Sequence, residues 1–146
     1  MTLRDLLSGG NIVKQPTSKA EIQDLLRVAA RSLKDARIER LSPEGRFSLG
    51  YDGILQLATI VLRCSGYRTR GEGHHWAVFD VLPELMDVDV TQLAAYFQSC
   101  RSKRSSAMYH RYSVVTKAEV VELLNSAYEF ERLVRDWLKR LQPQYS

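Results

Sequence analysis

SPEGRFSLGYDGILQLATIVLRCSG, residues 42–66, reads as a long helix with its start and its stop both written in. Ser42 precedes Pro43, a residue suited to the first helical position because its ring presets φ and its missing N–H is not needed there. Phe47, Tyr51, Ile54, Leu55, Ala58, Val61 and Leu62 then recur at helical spacing and form one apolar face. Gly66 supplies the stop. Gly45, Gly50 and Gly53 weaken the helix, each by up to ~1 kcal/mol relative to alanine. They also permit close approach by a neighbour, which suits a central helix packed on several sides.

The flanking sequence gives partners for such a helix. Ser18 with Glu21 three residues on predicts a capping box. The helix that follows is expected over residues 19–36, with Ile22, Leu25, Leu26, Ala29, Ala30 and Leu33 as its stripe. A short helix is expected over residues 3–7, closed by Gly9 and Gly10. On the other side, YRTRGEG (residues 67–73) reads as a polar loop. A helix from His74 or His75 to about residue 85 follows, with Pro83 as an expected kink or early end. Asp87 or Asp89 is expected to cap a helix from about residue 90 to residue 103 or beyond, with Leu93, Ala94, Phe97 and Cys100 inward. After a break near residues 109–115, Thr116 and Glu119 form a second capping box. The last helix is expected over residues 117–141, with Val120, Leu124, Ala127, Phe130, Val134 and Leu138 inward, and Gln142-Pro143 beyond it. No segment reads as a strand. The expected fold is all-α, an up-and-down bundle of four to five main helices.

Composition narrows the function classes. The chain has 146 residues, 45% hydrophobic and 26% charged, so one core without disulfides is expected and a wholly disordered chain is excluded. No apolar run approaches the ~18–20 residues of a membrane span. MTLRDLLSGG lacks a long apolar core and a small-residue cleavage site, so no secretory signal and a cytoplasmic location are expected. Cys64 and Cys100 are not in CxxC spacing and read as reduced core cysteines. The net charge of +4 is modest, but its placement is uneven. Between Asp89 and Glu119 no acidic residue occurs, while Arg101, Lys103, Arg104, Arg111 and Lys117 all do. This stretch is either an anion-binding face, for example for RNA phosphates, or a solvated helix end.

Three groups could carry chemistry. His74-His75, with Glu72, Asp80 and Glu84 nearby, invites a metal reading. Adjacent helical residues point ~100° apart, and no ligand spacing such as HExxH occurs, so a polar helix start or a hydrogen-bonded buried histidine fits better and no metal is expected. A cysteine nucleophile needs a lowered thiol pKa, and neither cysteine sits where one is expected. The third is RSSAMYHRY, residues 104–112. An arginine here can stabilise charge on a scissile phosphate, and a histidine can move the proton of a ribose hydroxyl. Arg104 and His110 lie too far apart along one ideal helix, so a bend or a second subunit would have to bring them together.

This segment resembles the mark of the HEPN family of small all-α proteins: an arginine, four to six residues, a histidine, and often a tyrosine one residue further. Here these are Arg104, His110 and Tyr112, with five residues between the first two. The likeness covers about residues 18–141, and GYRTRGEGHH resembles the corresponding stretch of small bacterial relatives. The resemblance implies a short N-terminal helix and loop (residues 1–17) ahead of a single HEPN-like bundle (residues 18–146). It implies a homodimer with facing motifs that acts as a toxin-like, metal-independent endoribonuclease or RNA-binding protein, with no cofactor. Its partners would be RNA and a nucleotidyltransferase antitoxin, with no membrane. Arg104, His110 and Tyr112 would then be catalytic. Arg101, Lys103, Ser105, Tyr109 and Arg111 would hold RNA. Ser105 departs from the usual strong hydrogen-bonder, asparagine, and in some relatives a tyrosine at the place of Tyr109 replaces the histidine. The alternative is a non-catalytic helical dimer that binds a nucleotide or a protein, with Arg104 in an ion pair to an acid such as Glu129 or Asp136. A DNA-binding helix is a third reading, without helix-turn-helix spacing to support it.

Overall fold

A computed structural model describes residues 1–71, 74–109 and 114–146, and for residues 106–109 the backbone only. Six α-helices follow in order: α1 (Leu3–Ser8), α2 (Lys19–Ala36), α3 (Pro43–Cys64), α4 (His75–Leu85), α5 (Thr91–Tyr109) and α6 (Lys117–Leu141). A 3-10 turn, Pro143–Tyr145, closes the chain. The fold is an all-α bundle, and α3 is its centre: α2, α4, α5 and α6 all pack against it. Its length and apolar face explain this. Phe47, Tyr51, Ile54, Leu57, Ala58, Ile60, Val61 and Leu62 are all buried, on more than one side of the helix.

The helix starts follow local chemistry. Ser18 Oγ accepts from Glu21 N at 3.2 Å, and Ser42 Oγ accepts from Gly45 N at 3.0 Å. Thr116 and Glu119 satisfy one another's backbone donors in a full capping box, as do Thr2 and Asp5. The expected second half of the Ser18 box does not form. Glu21 instead accepts from Arg63 Nε at 2.7 Å and from Thr17 Oγ1 at 3.0 Å, because the buried Arg63 guanidinium is the stronger donor. Asp89 Oδ1 accepts from Thr91 N and starts α5, while Asp87 pairs with Arg140. Pro83 does not end α4, which runs on to Leu85. Three residues into the C-terminal half, the proline costs one backbone bond but the buried faces of Phe79, Val81 and Leu82 hold the helix in place.

The expectation of no strand is corrected. β1 (Ile12–Lys14) and β2 (Tyr67–Thr69) pair antiparallel, with Val13 opposite Arg68. Each has only three residues, too few to show an alternating pattern, and Tyr67–Thr69 was hidden inside a polar run. The ribbon joins the chain just before α2 to the chain just after α3, so these two helices run antiparallel. Leu6 of α1 and Ile12 of β1 lie in the same core as the bundle helices. Phe79 and Leu82 of α4 are core residues, and Trp76 packs partly buried against the core. Both cysteines are free and buried.

Candidate functional site

Arg104 projects from α5 toward α3. Its Nε donates to Ser48 Oγ at 3.2 Å, and its Nη2 lies 3.2 Å from Asp52 Oδ1. Its guanidinium carbon sits 5.3 Å from the Tyr51 ring centre. Ser48, Tyr51 and Asp52 stand at helical spacing on one face of α3, so a single guanidinium reaches all three. The side chain keeps 26% exposure, against 39% for Asp52. The partner acid is therefore Asp52, not Glu129 or Asp136; Asp136 is held by Arg140 Nε at 2.7 Å. A part-exposed pair of this kind is worth ~0.2–1 kcal/mol. Among the described residues, Nη1 of Arg104 makes no hydrogen bond.

The first residue of α4 comes to the same place. The rings of His75 and Tyr51 are 6.4 Å apart between centres. Burial and the neighbouring positive charges of Arg104 and Arg101 hold the His75 pKa below the ordinary histidine value, with Asp52 opposing them. Burial raises the Asp52 carboxyl above the usual value, and Arg104 acts against that rise. Tyr51 is fully buried, and burial pushes its hydroxyl up to about 12. That hydroxyl has no hydrogen-bond partner among the described residues.

Gln98 sets the α4–α5 spacing. Its Nε2 donates to the Trp76 carbonyl at 2.7 Å and to Asp80 Oδ1 at 2.8 Å, while its Oε1 accepts from Arg101 Nε at 3.1 Å. His74 turns the other way and bonds the Asn11 carbonyl at 3.4 Å. The two adjacent histidines thus point to different partners. Among the described residues no three histidines, cysteines or acids gather as a metal site.

The remaining residues of the basic stretch fall out as follows. Lys103 lies 3.4 Å from Glu119, and Ser105 is exposed on α5. Tyr109 is the last residue of α5, and its side chain is outside the description. His110, Arg111 and Tyr112 lie outside the described residues. The structure therefore brings Arg101 and Arg104 together with His75, Tyr51, Asp52 and Ser48. Tyr51, Asp52 and Ser48 went unnoticed as site residues in the sequence. The signal was the i, i+3, i+4 spacing of Ser48, Tyr51 and Asp52 on a helix otherwise apolar at that face.

Burial makes both thiols unreactive. Cys64 is pushed up to about 12 and Cys100 to about 11, so neither is a thiolate at neutral pH. Among the described residues no helix is long and apolar enough to cross a membrane. Compared with protein-family models, curated proteins and solved structures, the chain matches none.

Proposed function

We propose that this chain is a HEPN-type, metal-independent endoribonuclease or RNA-binding protein that works as a cytoplasmic homodimer, toxin-like, with a nucleotidyltransferase as its antitoxin. The observation that carries the reading is Arg104. Its guanidinium is braced from α3 by Ser48 and Asp52, keeps an edge toward solvent, and is separated from His110 by five residues. A braced guanidinium suits an anion whose charge grows in the transition state, because its orientation is set before the substrate arrives. In this reading Arg104 holds the scissile phosphate, His110 moves a proton, and Tyr112 orients the phosphate or is itself modified. Arg101, Lys103 and Arg111, with Ser105 and Tyr109, hold the flanking RNA.

The test is cleavage of a mixed RNA in EDTA, with the product ends analysed. The parent is expected to leave 2′,3′-cyclic phosphates. Arg104→Ala is expected to lose ~10²–10³-fold in rate, the usual cost of one transition-state donor. An Arg104→Ala protein that cleaves as fast as the parent overturns the proposal. The second reading is a non-catalytic nucleotide-binding or protein-interaction module. It is favoured by the same ion pair, since Asp52 already offsets part of the Arg104 charge. Absence of cleavage by the parent moves the weight there.

A further inference from the structure

His75 and the hydroxyl of Tyr51 stand beside Arg104 without a role in that reading. His75 enters the site from the first turn of α4, not from the segment after α5. Among the described residues, its neighbours of either charge are Asp52 and Tyr51 on α3 and Arg101 and Arg104 on α5. Burial, together with the Arg104 and Arg101 guanidiniums, disfavours a proton on the ring and holds its pKa below the ordinary histidine value. Once a proton arrives, the Asp52 carboxylate opposes those two charges and stabilises the cation. A group that is neutral before the reaction and supported when charged is suited to accept a proton.

The placement is also rigid. α4 is tied to α5 through Gln98, and the Tyr51 ring is packed between the Arg104 guanidinium at 5.3 Å and the Phe79 ring at 6.1 Å. The Tyr51 hydroxyl is enclosed beneath them, without a hydrogen-bond partner among the described residues. A phosphodiester on the exposed edge of Arg104 thus has beside it an imidazole that belongs to the helical framework.

We propose that His75 is a catalytic residue of the Arg104 site, the general base for RNA cleavage. This rests on the ribonuclease reading above. His75 takes the proton of the ribose 2′-hydroxyl. The 2′-oxygen forms a bond to phosphorus, the bond from phosphorus to the 5′-oxygen breaks, and the departing oxygen takes a proton from water. A 2′,3′-cyclic phosphate and a 5′-hydroxyl result, and His75 then releases its proton to solvent.

The experiment follows single-turnover cleavage of one RNA oligonucleotide in EDTA from pH 5 to pH 9. It compares the parent, His75→Gln and His110→Ala, with the dissociation constant of the 2′-deoxy oligonucleotide measured alongside. Circular dichroism checks that each variant keeps its helices. In the parent the rate falls on the acid side with a midpoint below the ordinary histidine value of ~6.5. His75→Gln is expected to bind the 2′-deoxy strand within about twofold of the parent, lose ~10²–10⁴-fold in rate, and lose that acid limb. His110→Ala is expected to lose rate, since in that reading it also moves a proton, but to keep the acid limb. If His75→Gln cleaves within threefold of the parent with the limb intact, the role of His75 is overturned and the ribonuclease reading stands. If the parent does not cleave, both fall.

Discussion

Arg104 and Asp52 show how one contact sets a pH response. Asp52 is raised by burial and held back by Arg104, so the carboxylate depends on its partner once ionised. Removing the guanidinium raises the folded-state pKa of Asp52 further. A raised carboxyl pKa costs nothing below the unfolded value of ~3.9, where both states are protonated, and its full cost appears above the folded-state value. Arg104→Ala is therefore expected to destabilise the protein more at pH 7 than at pH 3.5, read as the shift in urea midpoint at the two pH values. An equal shift at both would mean that the ion pair contributes nothing and only packing on Tyr51 is lost. The thiols give a second readout at this scale. With Cys64 and Cys100 buried and raised, both are expected to resist an aromatic disulfide reagent at pH 8 in the native state and to react fully in denaturant. Rapid native labelling of either would contradict the packing around it.

The helices show which parts of the fold were legible and why. α2 and α6 occupy the residues that their caps and stripes predict, because a side-chain cap and a 3.6-residue apolar period are local facts. The partner of Arg104 was not legible, since an ion pair between α3 and α5 depends on how two distant helices cross. The three-residue strands were too short for a periodic signal. His75 was weighed with His74 as a metal ligand or polar helix start and not with Arg104, because its surroundings come from α3 and α5. The glycines of α3 were read as points of close approach, and the geometry gives them partners. A Cβ on Gly53 would lie 2.6 Å from Leu33 Cδ2 and 2.8 Å from its Cγ, and one on Gly50 would lie 2.9 Å from Leu123 Cδ2. Gly53→Ala gains up to ~1 kcal/mol of helix propensity but overpacks a fully buried leucine at ~1–3 kcal/mol. A net loss of ~1–2 kcal/mol is expected by chemical denaturation. Adding Leu33→Ala to Gly53→Ala should cost less than Leu33→Ala does alone; strict additivity would mean that the two sites do not touch.

At the scale of the molecule, the ribbon joins residues far apart in the chain, Ile12 to Thr69 and Lys14 to Tyr67. A two-stranded ribbon of this length is marginal by itself, and the entropy of closing so long a loop must be met first. Helices form within about a microsecond from local contacts. The antiparallel pair α2–α3 therefore has to fold back before β1 can find β2. The ribbon is thus a latch that shuts late. The chain runs from β2 at Thr69 to His75 across only five residues, so the latch carries the imidazole to its station. The ribbon is then expected to be among the last parts of the fold to form and the first to open.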